Sequence, residues 1–200
     1  SEPEKETMQM RYLASSFRSV TIPSSITSIA DYAISHCSSL TRITIPSSVT
    51  SIGKYAFVGC FSLTEITIPS SVTEIGERAF SGCSSLTQII IPSSVTEIEE
   101  STFSGCKSLT QIIIPSSVTS IKEGAFFDCS SLLRISIPSS VTSIEDQVFF
   151  YCFSLKQVSF EFPSSLTSIE FDTFVGCSSL TQITIPSSVI SIGKYAFDRC

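Results

Sequence analysis

Proline recurs at positions 23, 46, 69, 92, 115, 138, 163 and 186, and a cysteine follows each of these prolines by 14 residues. Both series step by 23 residues, apart from one step of 25. So strict a period allows few folds. A unit this short cannot bury an apolar face by itself, so it must stack on its neighbours, and the chain becomes a solenoid. One unit runs from Pro46 through Val49, Ile52, Ala56 and Phe57 to Cys60, and then through Leu63, Ile66 and Ile68 to the next proline. The longer step carries two extra residues within Val158-Ser159-Phe160-Glu161-Phe162. They read as a bulge or a lengthened strand, because a loop insert would bring Gly, Asn or Asp.

Within a unit the residue types divide the chain. Leu63-Thr64-Glu65-Ile66-Thr67-Ile68 is β-branched and alternates at its end, which predicts a short strand with Ile66 and Ile68 inward. Pro69 stops it for want of an N–H. Ser70-Ser71 are expected to turn the chain with local side-chain hydrogen bonds, and Val72-Thr73-Glu74-Ile75 to form a second extended stretch. Gly76 to Cys83 is too short for a lasting helix, so a single helical or 3₁₀ turn is expected, with Gly82 at its exit. The predicted fold is a β-rich α/β solenoid of about eight coils over residues 17–200. Its equivalent side chains should pile into columns about 4.8 Å apart. Phe57, Phe80, Phe103, Phe126, Phe149, Phe174 and Phe197 form one column, headed by Ile34, and isoleucines from Ile29 to Ile192 form another. Residues 1–16 precede the repeats and read either as a short amphipathic cap or as a frayed tail. At the other end the repeat stops at Cys200 with no polar cap.

The pattern Leu-x-x-Ile-x-Ile-Pro, followed by Val-Thr-x-Ile-Gly-x-x-Ala-Phe-x-Gly-Cys, resembles the BspA-type leucine-rich repeat, also called the Treponema pallidum type. The resemblance covers nearly the whole chain. Its departures are Ile34 for Phe, Thr102, Val148 and Thr173 for Ala, Phe17 for the strand Leu, and Ala14 where the first Cys would fall. The resemblance implies a curved, right-handed leucine-rich-repeat superhelix. It also implies a surface or secreted location and adhesion to host proteins, such as extracellular-matrix or plasma proteins.

Composition closes off other classes. Eighteen acidic residues against 12 basic ones give a net charge of −6, the wrong sign for gripping a phosphate backbone. No apolar run approaches the roughly 18 residues of a membrane span, so no membrane insertion is expected. The eight cysteines count repeats and do not signal a disulfide framework. Parallel ladder thiols lie near the separation a disulfide tolerates but point the same way, so they read as small buried hydrophobes with weak S–H donors. The paired Cys or His ligands of a zinc site are missing, and no cofactor is expected. His36, the single histidine, occupies a turn position held by Gly59, Gly82 and Gly105 elsewhere and has no partner visible in the sequence, so no enzyme activity is expected.

Recognition must therefore be written in the residues that differ between units. The outward strand positions include Arg42, Glu65, Gln88, Gln111 and Arg134, and the face they share is mostly Thr, Gln and Ser. Ile90 and Ile113 break it side by side, and Leu133 replaces a Thr in the next unit. This apolar patch is the candidate site for a protein partner. A second feature is a column of Glu77, Glu100, Glu123 and Asp146, an acidic edge that would suit a basic partner or a loosely held cation. The competing class is structural: a spacer or assembly segment that self-associates end to end through its open ends.

Overall fold

The structure is a computed structural model and describes residues 17–200. The expected cap or tail over 1–16 lies outside them. The chain winds through eight coils that begin at Phe17, Leu40, Leu63, Leu86, Leu109, Leu132, Leu155 and Leu180. Each coil contributes to two parallel ladders. The first runs through strands Ser19–Thr21, Arg42–Thr44 and Glu65–Thr67, continues through bridges at Gln88, Ile90, Gln111 and Ile113, and ends in Arg134–Ile137, Gln157–Phe160 and Gln182–Ile183. The second consists of two-residue strands such as Ser51–Ile52, Ser120–Ile121 and Ser168–Ile169. Register joins equivalent residues, for example Ile43↔Ile66 and Ile52↔Ile75.

The core is columnar. Phe57, Phe80, Phe103, Phe126, Phe149 and Phe174 are all fully buried, with successive centroids 5.2 to 5.8 Å apart and planes within 9° of parallel. That spacing exceeds the strand separation slightly, because offset rings stack better than eclipsed ones. The isoleucine column from Ile29 to Ile169 is buried beside it, while Ile192 in the last coil is exposed. Thr102 and Thr173, which stand in for Ala, are buried without an unmet hydroxyl: each bonds back to a carbonyl three residues earlier, at 2.8 and 2.7 Å.

The expected helical or 3₁₀ turn is corrected, since no helix occurs among the described residues. Each segment is instead a chain of tight turns with two left-handed residues four apart, such as Tyr55 and Gly59, or Arg78 and Gly82. The reason is the neighbouring coil. Tyr55, Phe57 and Gly59 aim their N–H groups at Glu77, Ala79 and Ser81 of the next coil, at 2.8 to 2.9 Å, while Val58 and Cys60 bond three residues back within their own turn. A helix would withdraw the first set of donors from the next coil.

Two further expectations change. The second serine of most Ser-Ser pairs bonds across coils and not locally, as where Ser71 donates to the Val49 carbonyl at 2.6 Å, while after the long step Ser164 keeps a local bond and accepts the Leu166 N–H at 3.3 Å. The two extra residues of the long step form neither a bulge nor a longer strand. Gln157–Phe160 keeps register with the equally long Arg134–Ile137, and the chain then bends outward through Glu161, Phe162 and Pro163.

Candidate partner-binding face

Because alternate strand residues point to opposite sides, the residues between the buried isoleucines of the first ladder all face outward. Arg42 and Glu65 are cross-strand partners and form an exposed ion pair at 3.5 Å. Glu65 is bridged to Gln88, and Gln111 to Arg134. One step along the strands, Ile90 is bridged directly to Ile113, and their exposures are 73% and 77%. These two therefore form one apolar surface. Leu133 does not join it: the Gln111–Arg134 bridge sets Ser136 beside Ile113, and Leu133 lies three residues before Ser136, roughly 10 Å along the strand. Leu133 is also less exposed, at 39%.

At the strand starts, Thr41, Thr64 and Thr87 each donate a hydroxyl to the carbonyl one coil back, at 2.9 to 3.3 Å. This polar rail was not anticipated, although the threonine column that builds it is plain in the sequence. It stiffens the rim of the face and uses the hydroxyls up internally.

The acidic column is largely engaged within the solenoid. Glu77 accepts from the Tyr55 hydroxyl at 2.7 Å and from Lys54 at 3.2 Å, and these bonds, the tyrosine's first, hold its carboxyl below the usual range. Glu100 pairs with Arg78 at 3.1 Å. Asp146 accepts the backbone N–H of Phe171 at 3.2 Å. Glu123 is exposed, and its own N–H donates to the Glu145 carboxylate at 3.2 Å. Lys122 lies 3.4 Å from Glu145. Beside this column, Glu99 is raised by burial and then by the charge on Glu97. No group of three or more His, Cys, Asp or Glu side chains converges to hold a metal ion among the described residues. His36 is exposed at a left-handed turn position, with its ring over Gly59.

All eight cysteines are free thiols. From Cys60 onward each Sγ donates to a backbone carbonyl of the preceding coil, at 3.1 to 3.3 Å. In most coils that carbonyl belongs to the ladder phenylalanine, whose oxygen also accepts the N–H of the cysteine in its own coil. Burial pushes the Cys83 and Cys177 thiols up to about 12 and drives Cys106, Cys129 and Cys152 well above the usual range. These thiols are structural fillers, unreactive near neutral pH.

Parallel strands bonded coil upon coil around aromatic and aliphatic columns, with variable residues confined to the outside, define a leucine-rich-repeat-type β-solenoid. The chain belongs to the BspA-type leucine-rich repeat family: the BspA type leucine rich repeat region matches residues 9–133 and 73–200, in six copies. A solved leucine-rich repeat protein of T. pallidum is 36% identical, with a TM-score of 0.74 over 82% of this chain and 78% of that one. A leucine-rich cell surface protein of Faecalibacterium prausnitzii is 34% identical, with a TM-score of 0.73 over 90% of this chain. This chain spans 58% of that protein's length. No curated protein matches the chain. No described helix is long and apolar enough to cross a membrane.

Proposed function

We propose that this chain is a non-catalytic protein-binding module, displayed at a cell surface in the manner of an adhesin, that engages a protein partner through the outward face of its first ladder. The observation that carries the reading is the Ile90–Ile113 pair, two large side chains more than two-thirds exposed on an otherwise polar sheet. Isolated apolar residues on a surface are ordinary, but an adjacent pair bordered along one side by the polar row Glu65, Gln88, Gln111 and Arg134 has the form of a hot spot with a polar rim. The rest of the scaffold is nearly invariant from coil to coil, so selectivity must come from such departures. The family and the cell-surface relative support the location.

The test is solid-phase binding to immobilised extracellular-matrix and plasma proteins, comparing the parent chain with the Ile90→Thr/Ile113→Thr double variant. Loss of a hot spot of about 2 kcal/mol or more weakens binding by more than tenfold. Thermal stability should stay nearly constant, since neither side chain is buried. Unchanged affinity for every captured partner refutes the assignment.

A further inference from the structure

The first ladder opens between its last two coils. Gln157–Phe160 pairs with Arg134–Ile137 through Phe160↔Ile137, but its pairing with Gln182–Ile183 ends at Val158↔Ile183. Beyond that point no backbone hydrogen bond joins residues 159–164 to residues 184–188. The ladder also thins to single bridges between coils 3 and 4 and between coils 5 and 6, so the outward bend of coil 7, and not the short pairing alone, marks this gap. The cause is the two extra residues. Glu161 still donates its N–H to the Ile137 carbonyl, and then Phe162 and Pro163 carry the chain outward, leaving Phe162 91% exposed. A second sign of the opening lies in the serine column. Ser48, Ser71, Ser94, Ser117 and Ser140 each donate to the preceding coil at 2.5 to 2.7 Å, whereas the equivalent Ser188 has a buried hydroxyl with no partner. The gap is a cleft of about 920 Å³, the size of a ligand site.

We propose that this cleft binds an extended, proline-containing peptide segment of a protein partner. Three features argue for a polypeptide. An interrupted parallel sheet presents main-chain groups along its open edges, and an extended chain with prolines at alternate positions keeps its remaining N–H and C=O groups on one side, where they pair with one of those edges by β-augmentation. The walls are Phe160, Phe162 and Pro163 on one side and Ile185 and Pro186 on the other, an aromatic and prolyl lining that suits prolyl and aliphatic side chains. The lining also includes Lys156 and Glu161, at the start and the end of the coil 7 strand, neither with an ion-pair partner among the described residues. Their separation sets a direction: the peptide's acidic end lies toward Lys156 and its basic end toward Glu161. A carbohydrate would match the Gln and Ser side chains here but would leave the open main-chain edges unmet.

The cleft is distinct from the Ile90–Ile113 patch and stands or falls separately. The probes are labelled, end-blocked heptapeptides of the form Glu-Pro-x-Pro-x-Pro-Lys, with x as Ile, Leu or Phe, read by fluorescence polarisation on the intact chain. Saturable binding is expected, weakened at least tenfold by Phe162→Ser and by exchanging the terminal Glu and Lys of the peptide. Deleting Glu161 and Phe162 restores the 23-residue step and should abolish binding. The Ile90→Thr/Ile113→Thr variant should bind the peptides normally. Melting curves establish that the variants fold, and Phe162→Ser alters only an exposed side chain. The proposal is overturned if no peptide of the panel binds, if Phe162→Ser binds as tightly as the parent, or if a maltooligosaccharide binds where the peptides do not.

Discussion

Replacing Phe126 with alanine tests the columnar core directly. The ring is fully buried, with centroids 5.5 Å from Phe103 and 5.6 Å from Phe149. Removing a buried Phe costs about 3–5 kcal/mol, a large share of the roughly 5–15 kcal/mol that holds a typical domain folded. Part of that loss is stacking, at about 0.5–1.5 kcal/mol for each ring pair. Phe57 is just as buried but meets only one ladder ring, Phe80, because Ile34 occupies the place before it. Phe57→Ala should therefore cost less by about one stacking interaction, roughly 0.5–1.5 kcal/mol. Urea unfolding followed by circular dichroism measures both. Because each coil is stabilised by its neighbours, the central variant should also broaden or split the transition. In a double-mutant cycle Phe103→Ala and Phe126→Ala should lose less together than the sum of their separate losses, while Phe57→Ala and Phe149→Ala should add to within about 0.5 kcal/mol. A loss below about 1 kcal/mol for Phe126→Ala would refute the stacked column, given what burial of such a ring ordinarily contributes.

The turns and the thiols carry three further predictions. Gly105 sits at a φ of 70°, where Asp128 occupies the equivalent place at 54°, so Gly105→Ala should lower stability by about 1–2 kcal/mol and Gly105→Asp by less, as urea midpoints would show. Thiol labelling without reductant should find eight reactive groups in denaturant, whereas the folded chain should react mainly at the exposed Cys200. The raised thiols also set an alkaline limit. Above a free-thiol pKa of about 8.5 the unfolded chain releases protons that the folded chain keeps, so stability should fall as pH climbs from there towards about 12, and Cys106→Ala should flatten that slope in pH-dependent melting curves.

Much of the architecture is legible in the residues because a repeat specifies its own register. Once Ile52 and Ile75, or Phe57 and Phe80, hold the same place in successive units, stacking leaves them nowhere to go except onto each other. The free thiols follow from the same parallel geometry. The turn was misread because its conformation is not encoded by residue type alone. Tyr55, Arg78 and Ser101 are left-handed without being glycine, and what holds them so is the hydrogen bonding of their N–H groups to the next coil. The acidic column was likewise visible as a row of carboxylates, but its partners, Tyr55 and Arg78 among them, come from neighbouring columns and rungs.

The order of the columns, the burial of Phe and Ile, and the exposure of Ile90 and Ile113 were determined by the sequence alone, since period and alternation fix which side each residue faces. Tertiary structure decided that the carboxylates are mostly engaged and that two added residues open a cleft. These outcomes depend on distances between coils, and a two-residue excess in one coil can be absorbed inside the ladder or expelled from it. Here it is expelled: Phe160 remains paired to Ile137 on one side, but Glu161 and Phe162 stand between it and Pro163, where the preceding coil passes from Ile137 straight into Pro138, and the surplus swings outward.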